Sequence, residues 1–174
     1  MIEIRDGQPG DAHAIAAVQV ESWRTAYHGL LPERVLASLS VLDRKQNWSK
    51  ILSDPPPRTA ILLAISNAVV VGFVAVGSDQ DTTAGSQAGQ LYAIYVRSDQ
   101  RGRGIGTHLH HAALDRLRTL GFTHAVLWVL ERNERAIRFY RRHGWLADGA
   151  RQVDKGPQDV VLPELRLRRT LSET

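Results

Sequence analysis

The chain has no cysteine among its 174 residues. Disulfides, a thiol nucleophile and thiolate metal sites are thereby excluded, and packing alone must hold the fold. The start, Met1-Ile2-Glu3-Ile4-Arg5-Asp6, also lacks the basic region and apolar stretch of a secretory signal, so a cytoplasmic protein is expected. Aromatic residues make up only 6% of the chain. With 43% hydrophobic and 23% charged residues, the composition is that of one domain over residues 1–174 with a sizeable core. The one long uncharged run, Ala60 to Gly77, approaches the roughly 20 residues of a bilayer crossing. Its β-branched residues and the central Ser66-Asn67 turn signal instead describe a buried β-hairpin, and no membrane partner is expected.

Cations are in modest excess. The net charge of +4 points to an anionic partner without naming it. Position says more: Arg97, Arg101 and Arg103 surround a glycine cluster, and Arg132, Arg135, Arg138, Arg141 and Arg142 crowd a second segment.

The periodicity predicts a strand over 2–5 and a helix from Asp11 to Tyr27, broken by Gly29-Leu30-Leu31-Pro32. Two shorter helices follow, Glu33–Leu39 and Asp43–Leu52, ended by Asp54-Pro55-Pro56-Pro57. Strands at 59–65 and 68–78 precede a small polar loop, Asp79 to Gly89, and an apolar, aromatic strand over 90–96. A helix from Gly104 to Leu120 stops at Gly121, a strand covers 125–129, a helix Asn133–Arg142 ends at His143-Gly144, and a last strand lies near Val160–Arg168. The order β-α-α-α-β-β-β-α-β-α-β-β predicts an α/β fold with a mixed sheet, parallel through residues 90–142 and antiparallel in the early hairpin.

Arg101-Gly102-Arg103-Gly104-Ile105-Gly106 joins a strand to a helix, where unpaired N–H groups and the positive helix end make an anion site. A nucleotide P-loop needs a lysine after the glycines, and none follows. A dinucleotide fingerprint needs glycine where Thr107 stands and an acid some twenty residues on, where Val126-Leu127-Trp128 stands.

Arg101-x-x-Gly104-x-Gly106 directly after Leu91-Tyr92-Ala93-Ile94-Tyr95-Val96, followed by Asn133-x-x-Ala136-x-x-Phe139-Tyr140 and Gly144-Trp145, resembles the GNAT superfamily of acyl-CoA-dependent N-acyltransferases. The segment Glu21 to Pro32 is similar to that of a branch of bacterial members. The resemblance implies the GNAT fold and acetyl transfer from acetyl-CoA to a primary amine of a small molecule, peptide or protein. It implies that the pyrophosphate sits on Arg101, Gly102, Arg103, Gly104, Ile105, Gly106 and Thr107. The pantetheine arm would run along Ile94, Tyr95 and Val96 in a splay beside strand 125–129, with Asn133, Ala136 and Phe139 on its other side. Many members carry proline and an acid after the central strand, where this chain has Ser98-Asp99. By the same analogy Tyr140 is the general acid for the departing sulfur. Glu21 and Tyr92 are the candidates for the general base, and Trp23, Tyr27 and Tyr92 for contacts to the acceptor. A homodimer is the common assembly of similar proteins.

His108 and His111 share a helix face but lack a third ligand, Asp115 being the only nearby acid, so no metal is expected. Trp48, Trp128 and Trp145 read as packing residues. The alternative function is a non-catalytic CoA-binding module or a basic nucleic-acid-binding module, although no base-reading motif is present and nucleic acid is not the expected partner.

Overall fold

The computed structural model describes residues 2–80 and 87–171. Seven strands form one sheet: β1 (Glu3–Asp6), β2 (Ala60–Ser66), β3 (Val69–Ser78), β4 (Ala88–Val96), β5 (His124–Leu130), β6 (Leu146–Lys155) and β7 (Val161–Thr170). Five helices accompany them: α1 (Ala12–Ala26), α2 (Glu33–Ala37), α3 (Val41–Ser53), α4 (Ile105–Thr119) and α5 (Glu134–Arg142). The sheet order is β1-β2-β3-β4-β5-β7-β6, with β4–β5 parallel and the other pairs antiparallel. Element order and mixed pairing are those expected from the sequence. The strand β6 had no assigned range there, because its side chains are nearly all exposed and carry no alternating apolar signal. Most of the expected polar loop, residues 81–86, lies outside the described residues.

The uncharged run 60–77 is explained by burial on both faces. Ile61, Leu63, Phe73 and Ala75 pack under Ile15, Ala16 and Val18 of α1 and Trp48 and Leu52 of α3. Leu62, Val74 and Val76 face the opposite way, onto Ile105, Leu109, Ala113 and Leu117 of α4. A third cluster, Val20, Leu31, Leu36, Leu39, Leu130 and Leu162, ties α1 and α2 to the far strands.

Helix ends set the direction of the chain. Ser40 caps α3 by accepting from the Asp43 N–H at 3.2 Å, and Asn133 caps α5 through the Ala136 N–H at 3.2 Å. Beyond α5, Gly144 adopts φ +80°, which lets the Trp145 N–H return to the Tyr140 carbonyl at 3.2 Å. That reversal drives Trp145 into the core, fully buried beneath Tyr140.

The β2–β3 turn places Asn67 at φ +49° and Ala68 at φ +61°. Two consecutive left-handed residues suit the twist of a two-residue hairpin, but a Cβ is disfavoured there. Ala68→Gly therefore relieves about 1–2 kcal/mol of strain against about 0.5–1 kcal/mol of added unfolded-state entropy. The expected net gain, about 0.5–1 kcal/mol, raises the thermal midpoint by about 1–4 °C, and a lowered midpoint in a melting curve would contradict the strain at this turn.

Candidate active site

The sheet opens between β4 and β5. Their parallel register covers Ala88/His124, Gly89/Ala125 and Gln90/Val126 and then ends. A bulge between Ala75 and Val76 of β3 leaves Tyr92 as an extra residue on β4 at this point, which increases local twist. Further along, the Arg97 N–H donates to Val71 of β3, so by strand alternation the N–H groups of Ile94 and Val96 turn away from β3 into the gap.

A cleft of about 860 Å³ occupies this splay. Its floor is Tyr92–Val96 of β4 and Trp128–Leu130 of β5. The first turn of α4 opens onto it: Gly104 is the N-cap at φ +78°, and no side chain caps the helix. Among the described residues the N–H groups of Ile105, Gly106 and Thr107 have no intramolecular acceptor. Together with the helix dipole they form an anion seat, and glycine at 104 both permits the left-handed entry and keeps the approach clear.

Of the residues selected from the sequence, the cleft brings together Trp23, Tyr27, Tyr92, Ile94, Tyr95, Val96, Arg101, Gly102, Gly104, Ile105, Gly106, Thr107, Asn133, Ala136, Phe139 and Tyr140. Two are placed elsewhere. Arg103 turns to a small depression beside Arg97 and Asp99. Glu21 does not line the cleft: its carboxylate accepts from the Ser98 N–H at 3.1 Å and from the Ser98 hydroxyl, which braces the turn after β4. Tyr92 borders the cleft, but its hydroxyl donates to the Ser78 carbonyl. Trp48 and Trp145 are core residues as expected, whereas Trp128 lines the cleft, beneath the Arg166 guanidinium.

Burial governs the site's acid–base chemistry. It pushes the Tyr140 phenol well above its ordinary range, so the group holds its proton at neutral pH. The Tyr140 hydroxyl makes no hydrogen bond among the described residues. The Trp23 indole donates to the Tyr95 hydroxyl at 2.8 Å, and burial raises Tyr95 and Tyr27 as well.

The sequence reading passed over the far wall, where Arg44, Asp154, Lys155, Leu162 and Glu164 face the cleft. Glu164 follows a period-2 pattern with Leu162 and Arg166, opposite in sense to the core residues Leu165 and Leu167. That alternation was visible in the sequence. What it could not show is that this face of β7 looks into a cleft instead of bulk solvent.

The chain matches the family described as Acetyltransferase (GNAT) family over residues 18–145. It is 31% identical over 144 residues to the uncharacterized N-acetyltransferase YuaI of Bacillus subtilis, covering 82% of this chain and 79% of that protein. The PaiA N-acetyltransferase of Thermoplasma acidophilum, solved in complex with coenzyme A, superposes with a TM-score of 0.73 at 19% identity, covering 98% of this chain and 99% of the other. YncA of Salmonella typhimurium, an acetyltransferase structure with acetyl-CoA, gives 0.73 at 18% identity over 100% and 96% of the two chains. The fold is thus shared with these solved structures. The chain belongs to the GNAT acetyltransferase family.

Below the anion seat lies a histidine cluster, His110, His111 and His143; the exposed His108 is not part of it. The Trp145 indole N–H donates to His110 Nε2 at 2.9 Å, so in the neutral ring the proton sits on Nδ1. That nitrogen is buried and has no partner, and while it carries the proton it cannot ligate a metal. His143 Nδ1 likewise donates to the Phe139 carbonyl at 2.8 Å. His143 Nε2 lies 3.4 Å from the Thr107 hydroxyl, so among the described residues only the His111 ring of the cluster is without a hydrogen-bond partner, and one imidazole is too few for a stable site.

Burial first, then the neighbouring His143, Arg169 and His111 charges, lowers His110 from 6.5 to about 3. The unfolded chain binds a proton below pH 6.5 that the folded chain refuses until about pH 3. This group's contribution is therefore fully present above pH 6.5 and declines by about 1.4 kcal/mol per pH unit as the pH falls through that window. Urea unfolding at pH 7, 6 and 5 should show the stability advantage of the native chain over His110→Asn shrinking as the pH drops. An advantage independent of pH would show that His110 is not held neutral.

Proposed function

We propose that the protein transfers the acetyl group of acetyl-CoA directly to a primary amine, in a ternary complex and without an acetylated enzyme. The observation that carries this reading is the convergence of three features on one cleft: the open start of α4, the unpaired edge of β4 and the buried phenol of Tyr140. The bound ligands of the PaiA and YncA structures support the same cosubstrate.

In this reading the N–H groups of Ile105, Gly106 and Thr107 take the pyrophosphate, with Arg101 beside them. The pantetheine arm follows Ile94, Tyr95 and Val96 and packs against Asn133, Ala136 and Phe139. Acetyl-CoA supplies the thioester. The Ile94 or Val96 N–H of β4 donates to the carbonyl oxygen as its negative charge develops. Tyr140 donates its proton to the departing sulfur, which is the role suited to a phenol that burial keeps protonated. The proposal extends to one acetyltransferase domain over residues 1–174 working in the cytoplasm, supported by the cysteine-free composition. Among the described residues no helix is long and apolar enough to cross a membrane. A homodimer is supported by the exposed Leu146, Val153 and Val161 on the β6–β7 hairpin.

Thermal unfolding with acetyl-CoA, NAD and ATP tests the cosubstrate. At a concentration 100-fold above Kd, acetyl-CoA should stabilise by about 2.7 kcal/mol, a shift of about 5–10 °C, with little shift from the other two. Equal shifts for all three would reduce the α4 seat to a generic anion site. Tyr140→Phe tests the acid: kcat should fall about 100-fold or more while the acetyl-CoA shift is kept. A variant with unchanged kcat would remove Tyr140 from the reaction.

A further inference from the structure

We propose that Glu164 receives the acceptor, its carboxylate binding the substrate's ammonium and taking its proton, and that the acceptor is a cationic primary amine carried on an apolar group. The assignment rests on the acetyltransferase reading and names the base that the reading leaves open.

The argument starts from an unbalanced charge. On β7, Arg166 is neutralised by Asp148 at 2.7 Å, but Glu164 forms no ion pair among the described residues. Its Oε2 accepts from the Gln152 amide at 2.8 Å, and its Oε1 has no partner among the described residues. A half-buried carboxylate held by one neutral amide is costly unless something positive joins it. Asp154 stands on the same wall and repels it, so the local field invites a cation more strongly still.

The surroundings define the rest of the ligand. Across the cleft stand Trp23 and Tyr27 of α1, edge to face at 4.9 Å, while Leu130 of β5 and Leu162 of β7 flank the carboxylate. Aromatic faces and aliphatic side chains suit a hydrocarbon group, and the aromatic faces also favour an ammonium. The charged and titratable groups that share this wall or face it are Arg166 of β7 with its partner Asp148, Asp154 and Lys155 of β6, Arg44 of α3, Tyr27 of α1, Tyr95 of β4 and Tyr140 of α5, while the cleft-lining residues of β5 are apolar or aromatic. Burial, with Asp154 adding to it and Gln152 opposing, raises the Glu164 carboxyl above its usual range, toward the pH at which a base works well.

The proton balance then closes. The ammonium gives one proton to Glu164, which passes it to solvent. The neutral nitrogen forms its bond to the acetyl carbon as the carbon–sulfur bond breaks. Sulfur leaves with the Tyr140 proton, and the second nitrogen proton, lost as the amide forms, restores the phenol. The net change is ammonium plus thioester to amide, thiol and one released proton.

The test uses the full chain saturated with coenzyme A, titrated calorimetrically with phenethylamine and with its neutral counterpart 2-phenylethanol. The cation should bind at least tenfold tighter, and that preference should disappear in Glu164→Gln while coenzyme A affinity is unchanged. With acetyl-CoA in place of coenzyme A, thiol release in the presence of phenethylamine should fall about 100-fold in Glu164→Gln. It should lose its rise with pH across the acidic limb, and recover in part in Glu164→Asp. Failure of phenethylamine to bind, equal binding of the two probes, or a preference and pH profile unchanged in Glu164→Gln overturns the assignment. Failure of coenzyme A itself to bind overturns the acetyltransferase reading, and the role of Glu164 falls with it.

Discussion

Hydrogen bonding between β4 and β5 lasts for three residue pairs, and every candidate functional group lies past the point where it stops. Neither strand is destabilised by the parting, because each keeps a second partner along its length. The strand β4 stays registered with β3 out to Val96, and β5 with β7 from His124 to Leu130. The sheet can therefore divide into two sound halves and leave backbone donors of β4 without protein acceptors at the inner edge. In water such an edge attracts another strand, but here α1 and α5 flank it and admit only a narrow extended ligand. The bulge at Tyr92 sits where the halves begin to diverge, and the added twist carries them apart.

Helix α1 joins the two ends of the cleft. One of its faces carries Trp23 and Tyr27 to the acceptor wall. Another holds the turn that leads into α4: Glu21 takes both donors of Ser98, the Ser22 hydroxyl reaches the Val96 carbonyl at 3.4 Å, and Thr25 accepts from the Arg101 guanidinium at 2.8 Å. The turn after β4 carries Ser98 and no proline. The glutamate–serine contacts supply by hydrogen bonding the rigidity that a fixed φ would otherwise supply. Because the same helix lines one wall of the cleft and braces the turn into α4, the separation between the two is set by one rigid element.

Much of this architecture was legible in the sequence, and the boundary of what was legible has a physical reason. Strand and helix order followed from periodicity, and the stops at Gly121 and Gly144 followed from cap chemistry. The open start of α4 was legible because the groups that build it are local: three glycines, a strand before and a helix after. Side-chain roles that depend on long-range packing were not. Glu21 and Ser98 are 77 residues apart, and only the docking of α1 on β4 reveals that one caps the other's turn. The histidine pairing also differed, since His110 and His143 come together through α4 and α5 whereas His108 points outward. Glu164 was missed for a related reason: a polar residue alternating with leucines reads as a wet face, and β6 carries no apolar alternation to place it.

Desolvation raises two ionisable groups of the cleft, Tyr140 fully buried and Glu164 half-buried, with different chemical results. For Tyr140, on α5, burial moves the phenol away from neutral pH and keeps it an acid. For Glu164, on β7, burial moves the carboxyl toward neutral pH and makes it a better base. One low-dielectric cleft would thus suit the two groups to the acid and base roles proposed for them, because a neutral acid and a charged base start on different sides of pH 7. In the proposed reaction the first ammonium proton leaves through the carboxylate on one wall, while the phenol on the other lends its proton to the sulfur and regains one from the nitrogen, so the two exchanges are separated in space.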